Sequence, residues 1–320
     1  MTDADRVAQV SEEFIRRELG SGHEEHPIEP VVSPLWQSVH AAGSDLWLDT
    51  GDMDAAGELW NTSFSALTTN NTLLNKEIQK GVYDTLVADA ARALRSEAPS
   101  MDDRQLLLEI AFILNAYHGL RLARMFNANV SVELHTDLAH DVDRSIAYAG
   151  RYHELSPDRF IVKLPLTPAG LVAVRRLSAS GIPVNFTLGF SARQNYLAAL
   201  FSRPAYVNVF MGRLNAFVSA SGVGDGENVG EKTTLATQRY VRKLRTEGRT
   251  PSRLIGASIR SGAQVAAVIG TDVLTMPPKA AAQPTRVAPP APPPPRRPQQ
   301  QHPDIDVREG TPRKPMRQPP

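Results

Sequence analysis

The stretch RFIVKLPLTPAG, Arg159 to Gly170, decides the reading of this chain. Its first half has the apolar density of a buried strand: Phe160, Ile161, Val162, Leu164 and Leu166 surround a single lysine, Lys163. A buried ammonium is costly unless something compensates it. The strand therefore predicts partners for Lys163 elsewhere in the fold. The next residues, TPAGLVAVRRLSASG (167–181), switch to helical period.

The same alternation of short strand and helical stretch repeats on both sides. Strands are predicted at 45–50, 64–70, 129–135, 159–166, 184–190, 206–212, 253–259 and 272–277. Strands separated by helices argue for parallel βαβ units, and eight of them is the number that closes a (β/α)8 TIM barrel. A doubly wound open sheet is the alternative. Residues 73–125 hold two or three helices between the second and third strands. Residues 1–42 read as a helical N-terminal extension: one helix, a loop at GSGHEEHP and a short helix from Pro34. The domain reading is 1–42 extension, 43–280 barrel and 281–320 tail.

Side chains alternate across a strand, so one parity faces the interior and the other faces the helices. Around Lys163, the set Phe160, Val162, Leu164 suits the helix layer and Ile161, Lys163, Pro165 points inward. The inward parity on other strands is again polar: Trp47 with Asp49, Ser131 with Glu133 and His135, Asn185 with Thr187, Asn208 with Phe210. On the seventh strand Gly256, Ser258 and Arg260 share a face. One polar residue on a strand is usually a satisfied core group, whereas repetition over six strands predicts a polar pocket. The expected partners of Lys163 are Asp49, Glu133, Asn185 and Thr187. A barrel lysine beside two carboxylates suits Schiff-base chemistry, in which a free amine attacks a ketone carbonyl and the iminium withdraws electrons from an adjacent carbon–carbon bond. Desolvation and neighbours can make such an amine available near neutral pH. The bland reading of Lys163 is an ion-paired structural lysine.

Composition limits the other classes. No cysteine is present, which removes disulfides, a cysteine nucleophile and thiolate metal sites. MTDADRVAQVSEEFIRREL is acidic and amphipathic without the apolar core of a signal peptide, and no uninterrupted apolar run reaches a membrane span. The expectation is a cytoplasmic protein with no membrane partner. Net charge is +1, but eight basic and three acidic residues lie from Lys279 onward, leaving 27 basic against 31 acidic residues in the body. Nothing there suggests a nucleic-acid surface. Fifteen of the 25 prolines lie from Pro277 onward. Such a tail is expected to be extended or disordered, either a plain appendage or a docking site for a proline-binding partner.

The motifs LWLDTGD, ALTTNNTLL, VSVEL, FIVKLPLTPAGL, VNFTLGFS, VFMGRLN and LIGASIRSGAQV, in this order, resemble the transaldolase family over about residues 34–278. The resemblance implies a (β/α)8 barrel. It implies a class I mechanism that passes a three-carbon dihydroxyacetone unit between sugar phosphates, with no metal or organic cofactor. By the same resemblance Lys163 is the imine-forming lysine and Asp49 the acid/base at the C4 hydroxyl. Glu133 and Thr187 handle the catalytic water, and Asn70 and Asn185 hold the three-carbon unit. Arg213 and Arg260, with Ser258, clamp the phosphate, for which an arginine fork is well shaped. Asn208 stands where a serine is usual beside the substrate, and Phe210 fits the transferase branch, since the aldolase-only branch tends to have tyrosine there.

Two further departures matter. The loop TTNNT carries Asn71 where TTNPS is common. Proline-rich sequence also replaces the final helix, so one flank of the barrel would be open unless the N-terminal helices or a second copy cover it. An open patch of that size would favour a homo-oligomer. The competing readings are a sugar-phosphate aldolase that releases dihydroxyacetone, and a catalytically weak barrel serving as a scaffold for its tail. The histidines of SGHEEHP lack metalloprotease spacing and read as a solvated loop. His135 either lines the pocket mouth or is a satisfied strand-end histidine. GVGDGENVG (222–230) is a flexible loop that could border the phosphate site.

Overall fold

The computed structural model describes residues 3–21 and 27–283. Two helices, α1 (Asp3–Ser21) and α2 (Pro34–Ala41), precede β1 (Asp45–Asp49). A short helix α3 (Met53–Gly57) leads to β2 (Phe64–Thr68). Three helices come next, α4 (Asn71–Ile78), α5 (Asp84–Glu97) and α6 (Asp103–Phe126), before β3 (Asn129–Glu133). The repeat then becomes regular: α7 (Val142–Leu155), β4 (Phe160–Pro165), α8 (Pro168–Ala179), β5 (Val184–Thr187), α9 (Ala192–Phe201) and β6 (Tyr206–Phe210). The chain continues through α10 (Met211–Ala220), α11 (Val229–Thr246), β7 (Arg253–Ala257), α12 (Gly262–Ala267), β8 (Val273–Met276) and α13 (Pro278–Ala281).

All eight strands are parallel and pair in chain order, and β1 pairs with β8 to close the barrel. This settles closed barrel against open sheet. The stretch around Lys163 shows how the sequence builds one unit. Pro168 opens α8, where its missing N–H is no loss, and the Thr167 hydroxyl accepts from Gly170 N at 2.9 Å to cap the helix.

Register keeps one parity inside all the way round. Glu133 lies beside Lys163, Lys163 beside Asn185, Asn208 beside Ile255, and Thr275 beside Trp47. The outward set, including Leu46, Val130, Val162, Phe186, Val209 and Leu274, joins the large core shared with the helices. Trp47, Ala66, Ile161, Ile255, Ala257 and Val273 form a separate plug inside the barrel. On β7 this corrects the expected face: Ile255 and Ala257 point in. Gly256 points out, where a Cβ would meet Met211 and Leu274 side chains at 3.1 and 3.2 Å. Ser258 lies past the strand with φ +58°, a left-handed backbone that breaks the alternation.

Several strands are shorter than the apolar runs suggested. Leu188, at φ +69°, ends β5, and Met211 and Gly212 begin α10 instead of extending β6. The described remnant of the eighth helix is one turn, α13, with Ala280 and Ala281 buried. The flank does not stand open: α2 and α13 pack on β1, and Leu46, Leu48, Leu274 and Met276 are buried. The tail from 284 and the SGHEEHP residues 22–26 lie outside the described residues.

By length and composition α6 alone among the described helices could cross a bilayer, although charged residues interrupt its apolar run. Here it is mostly buried within the fold. Gly119 lets it approach the barrel, since a Cβ there would lie 2.7 Å from Val132 Cγ1 of β3.

Candidate active site

The carboxyl ends of the strands carry the polar residues that parity pointed to. Lys163 is 5% exposed. Its Nζ donates to the Thr69 carbonyl at 3.0 Å and lies 3.5 Å from Glu133 Oε1. Thr69 was missed in the sequence because a backbone carbonyl has no residue-type signal. The other oxygen of Glu133, Oε2, accepts from Asn71 N at 3.0 Å and from Asn71 Nδ2 at 3.2 Å.

Asp49 stands half-buried on β1, two strands round the barrel from Glu133 on β3. Burial raises its carboxyl above the usual range, and the Lys163 charge and the Thr68 hydrogen bond oppose that rise. Thr68 Oγ1 donates to Asp49 Oδ1 at 2.7 Å. With its one proton so placed, Thr68 must accept from Thr275, whose hydroxyl oxygen is 2.8 Å away. Neither threonine was singled out in the sequence, although both lie on the inner parity.

A rail of amides runs along β3, β5 and β6. Asn185 Nδ2 donates to Ser131 Oγ at 3.0 Å. Asn208 Nδ2 donates to Asn185 Oδ1 at 3.2 Å and to Thr187 Oγ1 at 3.0 Å. Asn208 Oδ1 faces Gly189 N at 3.4 Å, and its carbonyl accepts from Asn195 Nδ2 at 3.0 Å. Asn208 thus fixes two neighbours, and Thr187, already an acceptor, keeps its own O–H to donate. Asn70 caps α4: its Oδ1 accepts from Leu73 N at 2.9 Å, which leaves the NH2 group as the part turned to other partners.

The arginines stand at the ends of the next two strands. Arg213, in the first turn of α10, is exposed, with its guanidinium 5.9 Å from the Phe210 ring centroid. Phe210 meets Phe190 edge-on at 5.9 Å. Arg260 is exposed at its tip, and its backbone N donates to Gln264 Oε1 at 2.7 Å. Gln264 Nε2 in turn donates to the buried Glu231 at 2.7 Å. Gly212 allows the two ends to close: its N–H donates to Ser258 O at 3.1 Å, and a Cβ there would lie 2.2 Å from that oxygen and 2.7 Å from Arg260 Cγ. Gly230, in the first turn of α11, packs against the Met211 backbone, and its N–H donates to Asn215 Oδ1 at 2.6 Å. His135 takes its bland reading: its Nδ1 accepts from Asp137 N at 3.2 Å and caps the 3-10 turn Thr136–Leu138.

The arrangement joins a buried amine, a carboxylate within reach of it, a second carboxylate that burial biases toward holding a proton, and two arginines at the rim. It suits attack on a carbonyl with proton transfer at both ends of an anionic, hydroxylated substrate.

Comparison with known proteins gives the same direction. Residues 46–288 match the family described as transaldolase/fructose-6-phosphate aldolase. The chain is similar to a transaldolase of Xanthomonas euvesicatoria pv. vesicatoria, 31% identical over 236 residues, which is 72% of this chain and 71% of the relative. A transaldolase of Xanthomonas oryzae pv. oryzae is 32% identical over 238 residues, with 72% and 71% covered. One of Chlamydia caviae is 30% identical over 244 residues, with 74% and 72% covered.

Proposed function

Because this chain belongs to the transaldolase/fructose-6-phosphate aldolase family, we propose that it acts as a cytoplasmic transaldolase through an imine on Lys163. The observation that carries the reading is the buried Lys163 amine, 3.5 Å from Glu133 Oε1 inside a closed barrel.

In this reading the amine attacks the C2 carbonyl of a ketose phosphate such as sedoheptulose 7-phosphate or fructose 6-phosphate. Glu133, with Thr187 and a water, takes and returns the protons as the carbinolamine loses its hydroxyl. Asp49 accepts the C4 hydroxyl proton. The C3–C4 bond breaks, the aldose phosphate leaves and the electron pair is held as an enamine. Attack of that enamine on an acceptor aldose phosphate, with the proton returned from Asp49, and hydrolysis of the new imine complete the transfer. No metal or organic cofactor enters these steps. Asn70 and Asn185 hold the three-carbon unit, in the barrel mouth that Asn208 and Phe210 also line. Arg213, Arg260 and Ser258 bind the phosphate.

The alternative within the family is an aldolase that releases dihydroxyacetone. Phe210 favours transfer. Supplying fructose 6-phosphate with and without erythrose 4-phosphate separates them. The transferase reading expects sedoheptulose 7-phosphate with the acceptor present and little free dihydroxyacetone without it; equal dihydroxyacetone release in both would overturn it.

A further inference from the structure

We infer that Asn71, itself held by Asn115, is a positioning residue that sets which oxygen of Glu133 faces Lys163. The inference rests on the proposed imine on Lys163, and it concerns Asn71, to which that mechanism gives no role. Glu133 divides its two oxygens: Oε1 lies 3.5 Å from Lys163 Nζ, and Oε2 takes both the backbone N–H and the side-chain amide of Asn71. Two donors on one oxygen fix the rotation of the carboxylate, so the other oxygen is presented to the amine.

The orientation of the Asn71 amide is set by its partners. Its Nδ2 faces Glu133 Oε2 at 3.2 Å and the Leu134 carbonyl at 3.0 Å. Both can only accept when Glu133 is ionised, so the NH2 must point that way. Its Oδ1 then faces Asn115, whose Nδ2 donates to it at 3.2 Å and also reaches Ala111 O at 3.3 Å. Asn115 is a buried residue of α6. The inserted helix thereby reaches the catalytic carboxylate through one intermediate side chain.

Asn71 also occupies the first position of α4, where the backbone N–H has no use within the helix and is free to bind Glu133. Proline, common at this place in TTNPS, is well tolerated at a first helical position. Asn71→Pro therefore removes both donors while preserving the helix start, and Asn71→Ala removes the amide alone.

The test is timed borohydride quenching after mixing with saturating fructose 6-phosphate, with the Lys163 adduct quantified by peptide mass spectrometry. Asn71→Pro is expected to slow adduct formation about ten- to a hundredfold in a folded sample, with KM within about twofold. Asn71→Ala should fall between it and the parent, and Asn115→Ala should slow the step less, without touching Glu133. In a Glu133→Gln background Asn71→Pro should add little, because its effect passes through that carboxylate. Adduct formation at the parental rate in Asn71→Pro, or an equal loss in the Glu133→Gln background, overturns the inference while leaving the imine intact. Absence of adduct in the parent removes the imine reading and this inference with it.

Discussion

Burial works against the Asp49 carboxylate and Lys163 works for it, with burial the larger influence. The folded carboxyl therefore holds its proton to higher pH than the unfolded one. Ionising it costs stability, so this group's contribution falls as pH rises from about 4 through the raised folded value. Asp49→Asn should lose turnover by about 10²- to 10⁴-fold. It should unfold no more easily than the parent at pH 7, and its urea midpoint should drop less between pH 4 and pH 7. A marked loss of stability at neutral pH would show that Asp49 serves the fold. The inward placement of Asp49, Glu133, Lys163, Asn185 and Thr187 was legible from alternation alone. Gly256 was not, because Ser258 and Arg260 come after the point at which a left-handed backbone stops the alternation. The Thr69 carbonyl and the Asn71 N–H were out of reach for a different reason: they act through backbone, which every residue type shares.

Among the elements, α1 depends on one buried network. Glu109 of α6 is 2% exposed and accepts from both guanidinium nitrogens of Arg151 on α7, at 2.9 and 2.8 Å. It also accepts from Ser11 of α1 at 2.9 Å and from Tyr148. Arg151 lies 4.0 Å above the Phe112 ring centroid. Burial alone would raise the Glu109 carboxyl, but the arginine and the hydroxyl donors outweigh it and hold it low. Its contribution is therefore present above the unfolded value and lost as pH falls through the folded one. Glu109→Ala strands a buried guanidinium and should cost about 3–5 kcal/mol, read from denaturant unfolding. Ser11→Ala should cost about 1 kcal/mol and loosen α1 first, read as faster amide exchange there. The sequence predicts a helix in the N-terminal extension and two or three helices over 73–125, the regions of α1 and α6. Their clamp was hidden, because its members lie 98, 42 and 39 residues apart along the chain.

For the whole molecule, eight strand-like runs announced the barrel, but only the β1–β8 pairing closes it. The sequence points to the N-terminal helices as one cover for the open flank, but nothing in the composition of α2 says that it meets β1. Loss of stability in acid is one global consequence of this enclosure. His118 of α6 is buried with its Nδ1 2.7 Å from Tyr83 OH, and burial lowers its pKa from 6.5 to about 4. The unfolded chain takes up this proton below pH 6.5 and the native one does not until about 4, so stability should fall as pH drops across that window. The loss reaches roughly 3 kcal/mol for this group. His118→Asn should flatten the slope of unfolding free energy against pH across that same window, whatever its absolute stability; an unchanged slope would show that another group sets it. The barrel as a whole converges on one amine, and the most direct measurement is made there. Borohydride reduction in the presence of fructose 6-phosphate, followed by peptide mass spectrometry, should give a three- or six-carbon adduct on Lys163 that is absent from Lys163→Arg. A folded parent protein with no adduct at Lys163 would contradict the account.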